Sequence, residues 1–376
     1  MIECDVCVVG AGIAGASIAG LLAAERRVLL VERESHPGYH TTGRSVAIFT
    51  ESVAGAQITP LTRASRSFFA EPPEGFSETP LLRSRPVLTF GREDQRAKVE
   101  AEYITLDAGG GRRWLDAAEI RRLAPILKTE QAEIGVLDPS CFDMDVDALH
   151  QGWLRMLRRA GGQLLTGAPV TLAEPSPGGW RIRAGEHQIS AGVLINAAGA
   201  WADEVARTAG ARPLGLQPRR RTVAVMAADG WAVGDWPMCL AADHDLYFKP
   251  DAGRLLVSSM DQTPSPPCDA FADDMDVAEA LDRFEQVADL PLRRPLRTWA
   301  GLRSFAPDEE PVAGFDLRLP GFFWLAGQGG AGIQTCPALA RAAAHLVRGR
   351  PLPDELSGFG VSAAALSPAR FHIEGH

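Results

Sequence analysis

The chain has no run of apolar residues long enough to cross a bilayer, which takes about 18 or more, anywhere in its 376 residues. It also lacks any stretch of Lys and Arg interleaved with aromatics, and its formal charge is -9. Both features argue against nucleic acid as a partner. Cysteine is sparse and scattered, six in all, which fits a reducing compartment rather than a disulfide framework. The beginning of the chain, MIECDVCVVGAG, lacks the basic region that opens a secretory leader, so a cytoplasmic protein is expected. Internal repeats and long low-complexity tracts are missing too. What remains is an ordinary globular composition, 46% apolar and 23% charged. It is long enough for two domains or one large composite fold.

Two of the cysteines are close in sequence. Cys4 and Cys7 form a C-x-x-C in a run that alternates like a strand. Strand residues three apart face opposite sides, so a shared metal or disulfide is not expected.

The segment DVCVVGAGIAGASIAGLLAAERRVLLVERE reads as strand, tight turn, helix, strand. Gly10, Gly12 and Gly15 give G-x-G-x-x-G in that setting. Gly10 makes the turn, Gly12 lets the backbone approach a pyrophosphate, and Gly15 lets the helix press on the strand. The helix start, from Ile13 and Ala14, offers free N–H groups and a positive dipole end to phosphates. Glu32 closes the second strand about 20 residues after the glycines, where a carboxylate accepts from both ribose hydroxyls of an adenosine and repels a 2′-phosphate. Dinucleotide binding follows, with NADP disfavoured.

The motif alone does not separate FAD from NAD. LINAAGAW (194–201) is a strand followed by small residues and an aromatic. WLAGQGGAGIQTCPALARAAAHLV (324–347) is a strand, a glycine cluster and a long helix. Two glycine turns so far apart suit a flavin enzyme, with one at the pyrophosphate and one at the ring and ribityl chain.

With these segments in place the sequence resembles the D-amino-acid-oxidase and glycine-oxidase superfamily of FAD enzymes, and within it the bacterial D-arginine dehydrogenases. The matching runs include VVGAGIAGAS, PGYHTTGRS, LINAAGAW, YFKPDAG, TWAGLRSF and GQGGAGIQT, in order along nearly the whole chain. The resemblance implies an α/β fold with non-covalent FAD: an FAD-binding Rossmann-like domain intertwined with a substrate domain built on a mixed β-sheet. Residues 1–50, 140–215 and 296–362 are read as the FAD domain, 51–139 and 216–295 as the substrate domain, and 363–376 as a partly disordered tail. Helices are expected over 145–159 and 277–288, and strands over 222–227 and 255–259. The family pattern adds Arg33, Thr41, Thr42, Arg44, Ser45, Ala47, Val170, Ala198, Gly199, Trp201, Gly301, Gly327, Gly329, Gly330, Gly332, Ile333 and Gln334 to the FAD contacts.

An amino-acid oxidoreductase must grip a carboxylate, and a planar guanidinium does so with two parallel hydrogen bonds. Arg303, in the largely apolar GLRSF, is the first candidate. The resemblance gives it the clamp role, with Arg221 and Tyr247 as helpers and Gln334 near substrate or flavin. It also implies hydride transfer from the substrate Cα to flavin N5 without a dedicated base. The imine product then hydrolyses to a 2-oxo acid and ammonia. Oxygen or a quinone would take the electrons.

The chain departs from the D-arginine dehydrogenase pattern in one direction. Where that pattern has polar or aromatic groups around the substrate side chain, this chain has Ile48, Phe49, Val53 and Ala331; where it has a glutamate for the guanidinium, this chain has Val87. A cationic side chain would then be desolvated without return, whereas an apolar one gains roughly 25 cal/mol per Å² buried. The expected substrate is a neutral, apolar D-amino acid. The alternatives are a secondary amine of the proline, hydroxyproline or sarcosine type, and a non-catalytic FAD subunit of an electron-transfer complex.

Overall fold

The computed structural model describes residues 1–53, 55–104, 111–290 and 294–371, the side chain of residue 104 excepted. The first strand, Ile2–Val9, is apolar on both faces because it lies in the middle of a largely parallel sheet covered on both sides. It pairs in parallel with Val28–Val31 on one side and His187–Asn196 on the other. Gln163–Leu165 extends the sheet beyond Val28–Val31, and Phe322–Ala326 pairs in parallel with the end of His187–Asn196. An antiparallel hairpin, Val170–Ser176 and Gly179–Ala184, and the strand Val312–Phe315 complete eight strands.

Three helices share an apolar core on one face of this sheet: Ile13–Leu22, Val146–Arg159 and Gly332–Val347. Small residues bring the first of them close. A Cβ on Gly15 would stand 1.8 Å from the Gly10 carbonyl oxygen, so only glycine lets the helix seat on the strand end. Val146–Arg159 starts where Asp145 caps it, its carboxylate accepting from Ala148 N–H at 2.9 Å.

The second sheet also has eight strands, in the order Arg297–Phe305, Gln217–Ala227, Arg254–Ser258, Tyr247–Asp251, Met238–Ala241, Val87–Gly91, Ile134–Asp138 and Arg113–Asp116. Every pair is antiparallel except Met238–Ala241 with Val87–Gly91, which makes the sheet mixed. Helix Asp274–Val287 packs on one face, with Phe284 against Phe248 at 5.1 Å between ring centres. The other face turns toward the first sheet. A small sheet of Ile48–Phe49, Phe142–Met144 and Leu82–Ser84 lies beside them.

Three expectations need correction. The segment from residue 296 opens with a strand, Arg297–Phe305, that belongs to the second sheet, where it pairs with Gln217–Ala227 over nine registers. The chain rejoins the first sheet only at Val312–Phe315. The stretch from 363 to 371 is docked rather than loose. Leu366 is buried, Pro368 packs where a Cβ on Gly314 would stand (2.7 Å), and Arg370 pairs with Asp308 at 2.6 Å. Residues 372–376 lie outside the described residues. Finally, Cys4 and Cys7 do not face opposite ways. Asp5 and Val6 N–H both donate to the Arg27 carbonyl, at 2.9 and 3.2 Å; this break in the alternation leaves the register with His187–Asn196 unchanged but turns Cys4 into the same apolar cluster as Cys7. Burial raises both thiols, Cys4 to about 11. All six cysteines are free, and no metal-ligating cluster occurs among the described residues.

Candidate active site

A cavity of about 930 Å³ runs between the two sheets and is lined by both. At one end stands the first glycine turn. Gly10 has φ +98°, and a Cβ there would come 2.6 Å from the Ala197 carbonyl oxygen. Gly12, Ile13 and Ala14 line the cavity, while Gly15 is hidden in the helix–strand contact. Glu32 is buried at the end of the second strand. One of its oxygens accepts Ala11 N–H at 2.7 Å and the other accepts Glu34 N–H at 3.0 Å, which leaves further lone pairs on each. Arg33 lies over the Trp201 ring at 5.0 Å, and His40 packs on the same ring at 4.5 Å. Val170, Ala198 and Gly199 complete this end.

The hydroxyls and the arginine of the HTTGRS run line the cavity but are also structural ties. Thr42 Oγ1 accepts Ile13 N–H at 3.0 Å and so caps the first helix from a distant loop. Thr41 donates to the Leu302 carbonyl at 2.6 Å. Arg44 donates to the Ala270 and Ala300 carbonyls at 2.7 and 3.1 Å and pairs with Asp269. Ser45 accepts Ala47 N–H at 3.2 Å. The loop that touches both ends of the cavity thereby clasps the two sheets together.

On the strand Arg297–Phe305, Gly301 and Arg303 face the cavity. Buried Nε and Nη2 of Arg303 have no hydrogen-bond partner among the described residues. Burial, reinforced by repulsion from Arg221, lowers its guanidinium to about 10. Its ring neighbour is Phe305, at 5.7 Å, and Gly330 leaves it room: a Cβ there would lie 3.2 Å from Nη1. Arg221 also faces the cavity, but donates to the Asp261 and Met260 carbonyls at 2.9 and 3.0 Å. Tyr247 is buried beside both arginines. Burial raises its phenol, and the nearby Arg221 charge works against that rise. Gln334 lines the cavity with its amide already employed. Its oxygen accepts Thr50 N–H and its nitrogen donates to Thr62 Oγ1, both at 3.1 Å. It holds the neighbouring loop rather than offering a free group.

The second glycine turn presents Gly329, Gly330, Gly332 and Ile333 to the cavity. Gly327 bends the chain behind it with φ +74° and does not line the wall. Ala331, expected in the substrate pocket, is buried at the helix start away from it, because the turn points its neighbours inward instead. Ile48, Val53 and Val87 do line it, Val53 at the exposed mouth.

The sequence reading missed several lining residues. Gln328 carries a buried Nε2 with no partner among the described residues; its place inside the glycine turn was the available signal. Val136, Val223, Met238 and Leu240 extend the apolar wall. Asp138 stands directly across the ladder from Val87. It is not a free carboxylate: Arg112 donates to it at 3.0 Å, Ser52 at 3.1 Å and Ser140 N–H at 2.9 Å. Burial opposes its ionisation, but hydrogen bonds from Ser140 and Arg112 outweigh this and keep it below the usual carboxylate range. No sequence pattern pairs Asp138 with Arg112; only the fold does.

A cleft between a largely parallel α/β sheet and a mixed sheet, with a glycine turn at one end and a buried guanidinium at the other, fits a protein that holds a dinucleotide beside a small anionic ligand. The family model of FAD dependent oxidoreductases matches residues 5–346, and the chain belongs to that family. Among curated relatives, the hydrogen cyanide synthase subunit HcnC of Pseudomonas aeruginosa is 29% identical over 68% of this chain and 61% of its own length. The monomeric sarcosine oxidase of Streptomyces avermitilis is 25% identical over 54% of this chain and 53% of its own length. The chain therefore spans less than two thirds of these relatives. Of solved structures, the L-alpha-glycerophosphate oxidase of Mycoplasma pneumoniae with FAD bound has the same fold, at TM-score 0.82 and 17% identity, covering 93% of this chain and 95% of that one.

The residues fit FAD. Gly10 and Gly12 bring bare backbone to the cavity where a Cβ would crowd Ala197 or Thr42, the Ile13–Leu22 helix starts there, and the Glu32 carboxylate lines the same end, where it could accept from ribose hydroxyls. No helix among the described residues is long and apolar enough to cross a membrane.

Proposed function

We propose that the chain oxidises the amine-bearing carbon of a D-amino acid with an uncharged, apolar side chain, giving a 2-oxo acid and ammonia after hydrolysis of the imine. The observation that carries this reading is the buried, unpartnered guanidinium of Arg303 facing the cavity. A buried cation without a partner is costly, and a substrate carboxylate satisfies it with two charge-assisted hydrogen bonds. Tyr247 and Arg221 stand beside that position, so a carboxylate there meets a second positive charge and a phenol O–H.

Bound FAD, held non-covalently, supplies the hydride acceptor. The chain's contribution is orientation. Arg303 fixes the carboxylate, and the wall of Ile48, Val87, Val136, Met238 and Leu240 receives the side chain. Asp138, the carboxylate directly across the ladder from Val87, is saturated by Arg112, Ser52 and Ser140, so it offers no free counterion to a cationic side chain. The D configuration rests on the resemblance to the D-arginine dehydrogenases.

A second reading, oxidation of a secondary amine, is favoured by the relative named a sarcosine oxidase and by a clamp that reads the carboxylate alone. Anaerobic bleaching of the flavin band separates the two. Rapid bleaching by D-Leu, D-Met or D-Phe with slow D-Arg supports the first reading. Bleaching only by proline analogues or N-methyl amines moves the substrate class. No bleaching by any amine favours a non-catalytic FAD subunit, a reading that the relation to a synthase subunit supports.

A further inference from the structure

A buried ion triad lies behind the cavity wall and belongs to neither glycine turn nor to the clamp. Lys249 is 5% exposed and follows Tyr247 by two residues on the same strand, hence on the same face. Its ammonium donates to the Val46 carbonyl at 3.0 Å and pairs with one oxygen of Asp143. The other oxygen of Asp143 accepts from Arg85 Nε at 2.7 Å, and Arg85 also donates to the Gly234 and Trp236 carbonyls. Two cations around one carboxylate leave a net positive charge in a region from which water is largely excluded.

The triad holds backbone that lines the cavity. Ser45, Val46, Ala47 and Ile48 line the cavity, whereas Lys249 does not. Directly after Val46, Ala47 has φ +27°, a conformation that residues with a Cβ avoid unless their surroundings enforce it. The other ties on Ala47 are long: its N–H to Ser45 Oγ at 3.2 Å and its carbonyl to Met144 N–H at 3.4 Å. The charge-assisted bond from Lys249 is the strongest fixed point of the segment.

We propose that Lys249, backed by Asp143 and Arg85, is a positioning residue for the flavin: it fixes the strained Val46–Ala47 backbone in the cavity wall and sets a positive charge one peptide behind it. Lys249→Met removes both effects. FAD dissociation from the purified holoenzyme, followed by recovered flavin fluorescence, is expected to show a Kd higher by about tenfold or more, the size of one lost charge-assisted hydrogen bond. The midpoint potential of the bound flavin is expected to fall, because a nearby positive charge favours the reduced state. Adding Ala47→Gly, which tolerates a positive φ, is expected to recover much of the FAD affinity but not the potential. Lys249→Gln, shorter and polar, serves if the Met variant does not fold, with the same expected loss. An unchanged Kd and potential in either folded variant, even with a lowered melting temperature, would make the triad purely architectural and overturn the proposal.

Discussion

Arg303→Met tests the clamp in two directions at once. In the substrate-free protein the guanidinium is held at about 10 instead of 12.5, and each unit of such a difference is about 1.4 kcal/mol, so the charged form is disfavoured by roughly 3 kcal/mol. Its pKa is depressed on folding, so this penalty is present at every pH below about 10. Methionine keeps the packing of the stem against Phe305 and removes the penalty. The substrate-free variant is therefore expected to be as stable as the parent or to melt a few degrees higher. Its reaction with substrate should collapse: losing two charge-assisted hydrogen bonds at about 1.5–3 kcal/mol each predicts a fall in kcat/KM of about 10² to 10⁴. Arg221 cannot take over fully, because its Nε and Nη2 donate to the Asp261 and Met260 carbonyls. Thermal melts of the substrate-free holoenzyme and stopped-flow flavin reduction read the two effects. A variant that loses stability yet is still reduced at the parental rate would refute the reasoning, since Arg303 would then be a structural residue.

Gly330→Ala places a methyl 3.2 Å from Arg303 Nη1, and the displaced clamp should raise KM about tenfold in stopped-flow reduction of the FAD-saturated enzyme. Val87→Glu sets a carboxylate across the ladder from the saturated Asp138; a panel of D-amino acids should show apolar substrates weakened about tenfold or more and D-Arg gaining, by the burial terms involved. His244 is raised above its ordinary value mainly by its hydrogen bond to Glu102, with burial opposing. That pair therefore stabilises the fold below the unfolded histidine pKa and ceases to do so as pH rises through the folded value. Melting curves of His244→Gln should differ from the parent in mildly acidic buffer and converge with it in alkaline buffer.

Much of the architecture was legible because it depends on local pattern. A both-faced apolar strand, a glycine turn, a small-residue helix and a closing acid describe one supersecondary unit, and the Ile2–Val31 segment builds it. The boundary at residue 296 was misplaced because strand membership is decided by pairing partners, and Arg297–Phe305 meets Gln217–Ala227 across about 80 residues of sequence separation, a non-local event. The alternation rule failed at Cys4 for a related reason. The shared bonding of Asp5 and Val6 N–H to the Arg27 carbonyl interrupts the pleat there and turns Cys4 to the other face.

The sequence by itself pointed to the cofactor end and to Arg303 as the candidate clamp. Glycines needed for φ and close approach, an acid closing a strand, and an arginine in apolar company are chemical requirements written in residue type and spacing. The tertiary structure alone decided which of those groups are free. Thr41, Thr42, Arg44 and Gln334 carry the right chemistry, yet each donor or acceptor is partly engaged by backbone brought from elsewhere. Asp138 and Arg112 silence each other, while Arg303 Nε and Nη2 are left without a hydrogen-bond partner among the described residues. Hydrogen-bonding capacity belongs to the residue; whether it remains available for a ligand depends on neighbours that only the folded chain assembles.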